Sequence, residues 1–230
     1  MARPVKKKRG RKDYTQQAYQ GIRRLFFLNE IVPGQKISYR DLAERLKMSQ
    51  TPVIQALKRL EYQGLVRHEP NRGYYTEPIS LKEVTEIYDF RELIEISLLP
   101  KTLDRVTDKG LAKLEKALKN HLEAVRDISI KERLMKDMEF HLVLAGLSGC
   151  TVQVNTLKSL FDLLYLKYRG NILFVTPMDR VDNEHQIIFD AVAASDLDAA
   201  TQVLSGHIKN VKKHAILCIE KMVQQSAEFM

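Results

Sequence analysis

The sequence predicts a mainly α-helical chain in two parts: a small N-terminal module of three helices and one hairpin, then an antiparallel bundle of six helices. Three observations predict it. Only 10 Gly and 7 Pro occur in 230 residues, too few for a turn-dense β fold. Apolar residues recur at three- and four-residue steps along most of the chain, and Ser or Asp stands where those runs begin. Strand character is confined to two short runs between Leu65 and Thr76.

The first dozen residues, MARPVKKKRGRK, have no apolar period and read as a disordered basic arm, 1–13. A helix begins near Thr15, with Ala18, Ile22, Leu25 and Phe26 on one face, and stops at Val32-Pro33-Gly34. Ser38 opens a short helix, with Asp41 as its capping-box partner and Leu42, Ala43 and Leu46 as its apolar stripe. Ser49 caps the next helix. Pro52 falls in its first turn, where a missing N–H does no harm; Val53, Ala56, Leu57 and Leu60 form its buried face, and Gly64 ends it. Leu65–His68 and Tyr74–Thr76 read as strands around the turn 69–73. This order is that of a winged helix-turn-helix over 14–78. A short steep turn there lets the second helix enter a major groove about 12 Å wide while the hairpin touches its flank.

After Pro78 the strand signals vanish, and 79–230 reads as the bundle. Ser80 with Glu83 caps a helix to about Val106, disturbed at Pro100. A second runs from Asp108 to Asp127 with Leu111, Leu114, Leu118, Leu122 and Val125 on one face. Ser129 with Glu132 caps a third, ending near Gly149. A fourth spans Thr151 to Arg169, a fifth follows Pro177 to about Ala194, and Asp196 opens a sixth.

Composition narrows the function. Two cysteines, Cys150 and Cys218, stand in unrelated contexts and build neither a disulfide framework nor a CxxC metal site, which fits a reducing compartment. No run of 18 apolar residues exists to span a membrane, and no apolar stretch follows the basic start as a secretory signal would require, so a cytoplasmic protein is expected. The net charge is +8, but it is uneven: +10 through Pro78 and −2 after it. That asymmetry points to a polyanion-binding module joined to a near-neutral domain. The arm carries seven of the positive charges, so a merely solubilising tail is the competing explanation.

The stretch Ile31-Val32-Pro33-Gly34, then Asp41-Leu42-Ala43-Glu44-Arg45-Leu46, then Ser49-Gln50-Thr51-Pro52-Val53-Ile54-Gln55-Ala56-Leu57, then Leu60 and Gly64-Leu65-Val66, resembles the N-terminal pattern of the GntR-type bacterial transcription regulators in order and spacing. The six-helix half resembles the FCD effector domain in its shorter VanR-like form. The family pattern carries Arg where this chain has Gln50 and Ile54; Gln reads adenine through N6 and N7. The resemblance implies duplex DNA as partner, with Ser49, Gln50 and Thr51 at base edges, Arg40 and Arg45 on phosphates, and Arg72 at the wing tip. Arg9-Gly10-Arg11 is similar to the core of minor-groove AT-hook arms without the following proline; a general phosphate-binding tail is the alternative.

Asp137 and His141, at i and i+4, share one helix face, a spacing that alone indicates a surface Asp–His contact sooner than a ligand pair. Taken with His185 and His207 on two further helices, the set resembles the FCD metal-binding pattern. The resemblance implies one divalent ion; three imidazoles and a carboxylate suit Zn²⁺, Ni²⁺, Mn²⁺ or Fe²⁺. It also implies that Arg91 pairs with a carboxylate on a small organic-acid effector, against the simpler reading of an Arg91–Glu95 salt bridge on a helix surface. His121 and His214 read as helix-surface residues and His68 as part of the wing.

The expected function is a ligand-responsive, DNA-binding transcription regulator acting as a homodimer, with no catalytic residues. Two competitors are a metal-dependent hydrolase on the bundle and a nonspecific architectural DNA binder. The first lacks a His-Asp dipeptide, an HExxH motif and an activated Ser or Cys nucleophile, and the second has no use for a metal pocket.

Overall fold

The computed structural model describes residues 13–126, 130–168 and 178–228, which divide into two compact units between Pro78 and Ile79. Residues 1–12 of the arm, with Arg9 and Arg11, lie outside the described residues, as do Ser129 and Pro177; Asp13 belongs to the first unit.

In the first unit α1 (Tyr14–Phe27) is capped by Asp13, whose carboxylate accepts from Gln16 N–H, and α2 (Tyr39–Arg45) by Ser38, whose hydroxyl accepts from Asp41 N–H at 3.2 Å. Helix α3 (Gln50–Tyr62) buries Val53, Ala56, Leu57 and Leu60, the face expected, against α1 with its buried Ala18, Ile22, Leu25 and Phe26. Each such large side chain contributes about 1.5–3 kcal/mol on leaving water. Gly21 lets α2's end approach: a Cβ there would stand 2.6 Å from Leu46 Cδ2. Gln63 closes α3, and Gly64 follows in the left-handed region at φ +74.

The wing holds three strands instead of two. β2 (Val66–Glu69) and β3 (Gly73–Thr76) pair antiparallel, and β1 (Lys36–Ile37) adds to β3's other edge through Lys36↔Tyr75 and Ile37↔Tyr74. Two residues are too few to show a period, so β1 is silent in sequence.

The second unit contains helices and no strand among its described residues: α4 (Leu81–Arg105), α5 (Asp108–Arg126), α6 (Ile130–Leu147), α7 (Thr151–Leu163), α8 (Met178–Ala193) and α9 (Leu197–Glu228). One core joins them, with Leu98, Leu114, Phe140, Leu157, Ile188 and Leu204 fully buried. Two features depart from expectation. α4 runs through Pro100, because Leu98, Leu99 and Thr102 around it are buried and their packing outweighs one lost backbone bond. α7 gives way to a π-helical turn, Leu164–Tyr168, in which all five residues are buried. A regular helix cannot bury five residues in succession on one face, and here Glu83 of α4 receives both the Lys167 ammonium and the Tyr168 hydroxyl. No described helix is long and apolar enough to cross a membrane.

Candidate functional site

Three of the candidate DNA-binding residues, Ser49, Gln50 and Thr51, stand at the start of α3. Ser49 stands at the N-cap position, but its hydroxyl makes no capping bond. Ser49, Gln50 and Thr51 are all exposed, as is Arg40. Ser49 and Thr51 border a cleft of about 840 Å³ that Tyr14, Lys47 and Gln55 also line. Gln55, which the family pattern did not single out for DNA, is exposed on α3, and Thr15 Oγ1 donates to its Oε1 at 2.7 Å. The cations are not equally free. Arg45 is paired with Glu30, whereas Arg72 at the wing tip lies 3.7 Å from Glu69 and is 76% exposed. Ion pairs this exposed contribute little and can be exchanged for phosphate contacts.

In the helical unit three helices converge on one point. α6 supplies Asp137 and His141 one turn apart, α8 supplies His185 and α9 supplies His207. One ligand atom from each of the four lies within 4.8 Å of every other, and all three imidazoles are fully buried. His185 Nε2 is 3.0 Å and His141 Nε2 3.8 Å from Asp137 Oδ1. Phe140 presents its ring edge-on to His141 and His185, walling the cluster with hydrocarbon.

Two carboxylates stand behind the imidazoles. Glu95 Oε2 of α4 lies 2.6 Å from His141 Nδ1, and Glu184 Oε2 of α8 lies 2.8 Å from His207 Nδ1. Burial would raise the Glu95 carboxyl, but Arg91 and His141 outweigh it and hold it down at about 2. The hydrogen bond from His207 likewise lowers Glu184 against burial. An ionised carboxylate only accepts, so both rings donate from Nδ1. Burial keeps the rings themselves neutral: His141 is lowered, and His207 is pushed down to about 4 by burial and by His185 beside it. Both Nε2 atoms are therefore bare lone pairs, and they face each other at 3.2 Å. Two lone pairs at that distance repel unless a cation lies between them. Two nitrogens about 2.1 Å from one tetrahedral ion stand about 3.4 Å apart. The donor set thus fits a divalent ion.

Arg91 is neither on a surface nor free. It is 1% exposed, its Nε donates to Glu95 Oε1 at 2.5 Å, and its guanidinium lies over the Phe161 ring at 4.5 Å. The salt bridge with Glu95 forms as the i,i+4 spacing allows, but inside the protein. Arg91 Nη2 is buried with no hydrogen-bond partner among the described residues.

His121 corrects an expectation. It is fully buried on α5, not on its surface, and its ring lies 4.2 Å from that of His185. Burial and the neighbouring His185 push it down to about 3, so it too is neutral. Its place was readable: it continues the stripe Leu114, Ala117, Leu118 at three- and four-residue steps. His214 is half-buried with its Nδ1 enclosed, again not a surface position, while His68 lies on β2 against Tyr74 as a wing residue.

Comparison with known proteins sets these sites in context. Residues 14–75 match the bacterial regulatory proteins of the gntR family, and residues 86–210 match the FCD domain. The HTH-type transcriptional repressor RspR of Escherichia coli K12 is 25% identical over 198 residues, 86% of this chain and 87% of that protein. Among solved structures, Escherichia coli McbR/YncC superposes with a TM-score of 0.76 at 18% identity, over 91% of this chain and 98% of the other. A putative GntR transcriptional regulator from Rhodococcus sp. RHA1 gives 0.71 at 23% identity, over 88% and 97%. At such identities the structures establish a shared fold.

Proposed function

Since the chain belongs to the GntR family of bacterial regulators and carries an FCD domain, it is a DNA-binding transcription regulator and not an enzyme, and we propose that a divalent metal and a small carboxylate effector, both held in its helical unit, modulate operator affinity. The observation that carries the reading is the facing pair of Nε2 atoms on His141 and His207, 3.2 Å apart inside a buried set completed by His185 and Asp137. These four residues would hold the ion. Bound there, a divalent metal would supply a positive charge that attracts a carboxylate oxygen. Arg91 Nη2 is the buried donor left for a carboxylate, and a planar guanidinium suits that group.

On the DNA side, Gln50 and Thr51 reach base edges with Ser49, and Arg40, Arg45 and Arg72 take phosphates. Arg9 and Arg11 of the arm add backbone or minor-groove contacts. A homodimer would match a two-fold operator with half-sites about 34–36 Å apart, and the cytoplasm is where such an operator lies.

Elemental analysis and native mass spectrometry of the purified protein test the metal. One ion per chain is expected in the wild type, none in His185→Ala, and an unchanged content in His121→Ala. Equal metal in both variants would remove the site as assigned. Shifted operator mobility on adding a carboxylate such as citrate or lactate to the metal-loaded protein tests the effector.

A further inference from the structure

The two carboxylates behind the imidazoles are each held at both oxygens. Glu95 accepts His141 Nδ1–H on Oε2 and the Arg91 guanidinium on Oε1. Glu184 accepts His207 Nδ1–H on Oε2 and the Asn210 amide on Oε1 at 2.8 Å. The two arrangements have the same logic and are built from different helices: α4 to α6 in the first, α8 to α9 in the second. Neither carboxylate is among the four candidate ligands.

We propose that Glu95 and Glu184 are the positioning residues of this metal site: each fixes one imidazole as its Nδ1–H form, so that His141 and His207 offer Nε2 lone pairs to the same ion, and Arg91 and Asn210 keep the carboxylates from turning away. The inference rests on the metal-binding reading above. A carboxylate behind a ligand imidazole does two things. It removes the alternative form, in which Nε2 carries the proton and cannot ligate, and it raises the basicity of the ring. The second anchor explains why neither carboxylate is free to bind the ion itself. A glutamine in either place has one oxygen where two are in use. At position 95 the amide NH2 would meet the Arg91 guanidinium donor to donor; at position 184 the neutral oxygen is a weaker acceptor for His207 Nδ1–H, so Gln weakens the anchor and removes the charge behind the ring with almost no change in volume.

The experiment uses the full chain and Zn²⁺ alone. Affinity is read by competition with a chromophoric chelator, for the wild type, Glu184→Gln and Glu95→Gln. Binding about 10- to 100-fold weaker is expected in each variant, still at one ion per chain. Glu184 is at the rim, its side chain 20% exposed, so Glu184→Gln keeps the test alive if Glu95→Gln, which strands Arg91, does not fold. The second readout is NMR of the zinc-loaded protein with ¹⁵N-labelled histidine. Two downfield, slowly exchanging ring Nδ1–H signals are expected in the wild type. In Glu184→Gln the His207 signal should move upfield and exchange faster while that of His141 stays. A general loss of packing would not single out one ring. Wild-type zinc affinity in Glu184→Gln, or an unmoved His207 signal, overturns the positioning role while leaving the metal site standing. A wild type that binds no stoichiometric zinc overturns both.

Discussion

Arg91→Ala leaves Glu95 ionised and buried without its guanidinium, and a broken buried pair of this kind costs about 3–5 kcal/mol. The helical unit of that variant should therefore unfold at clearly lower urea or temperature, followed by circular dichroism; an unchanged midpoint would show that Glu95 finds another partner. Arg91 must therefore be probed for effector binding with a substitution that leaves Glu95 a partner. Alanine would confuse weaker binding with weaker folding. Arg91→Lys keeps a cation for Glu95 but removes the planar fork, so it should bind a carboxylate more weakly at a smaller loss of stability. The residue is thus committed through Nε to Glu95, while its buried Nη2 is the donor the proposed carboxylate would meet. At this scale the sequence disclosed the candidate ligands better than their supports. Asp137 and His141 share a face by their i,i+4 spacing, and the family resemblance joined them to His185 and His207. Glu184 and Glu95 do not stand out, because the identity of a carboxylate's partner depends on how helices far apart in sequence cross. Glu95 had one local clue, its i,i+4 relation to Arg91, and that relation is the same on a surface helix as in a core.

At the scale of elements, α4 carries a cost that can be relieved. Pro100 is exposed, lacks the N–H that would meet the carbonyl of Ile96, and sits in the interior of a 25-residue helix. Proline in such a position is less favourable than alanine by up to about 3 kcal/mol. Pro100→Ala should raise the thermal midpoint of the helical unit in a calorimetric scan. An unchanged or lowered midpoint would mean that the proline ring packs or restrains the unfolded chain by as much. Most of the other elements follow from local signals: the Ser38 and Ser80 caps, the apolar face of α3, the stop at Gly64. Where local signals were overridden, tertiary packing had the larger stake. α4 continues past its proline because Leu98, Leu99 and Thr102 are buried there. α7 unwinds to a π turn because the run from Leu164 to Tyr168 is buried whole and meets Glu83 through Lys167 and Tyr168. β1 escapes for the opposite reason, being two residues added to the edge of a hairpin already formed.

For the whole molecule, charge and chain connection are the two quantities that would join DNA binding to a ligand held in the FCD domain. The arm holds seven of the 17 Lys and Arg before Ile79. Removing residues 1–12 should weaken binding to every DNA sequence. It should also make log K less steep against log salt, by about 0.9 for each phosphate no longer neutralised. Equal slopes in a fluorescence titration would reduce the arm to a solubilising extension. The connection is short and tied down at each end. Thr76 is buried in the first unit, donating to Val32 O and accepting from Gln35 N–H, both at 2.7 Å. Ser80 caps α4 in the second, its hydroxyl accepting from Glu83 N–H, and its backbone meets Tyr168 Oη at 3.4 Å. Only Glu77, Pro78 and Ile79 lie between these anchors, and proline removes one of their soft torsions. α4 is also the helix that bears Arg91 and Glu95, so whatever displaces it at the proposed metal site acts on a chain with little slack before β3. A coupling of about 1–3 kcal/mol between effector and operator is the usual scale, and linkage requires operator DNA to change effector affinity by the same factor. Inserting a Gly-Ser segment after Pro78 should leave metal binding and metal-free operator binding as they are while shrinking that factor toward one, since a flexible linker absorbs a helix shift instead of passing it on. Both affinities can be measured on the same insertion variant by titration with and without the carboxylate. Full effector control in that variant would mean that the signal does not travel through residues 77–79.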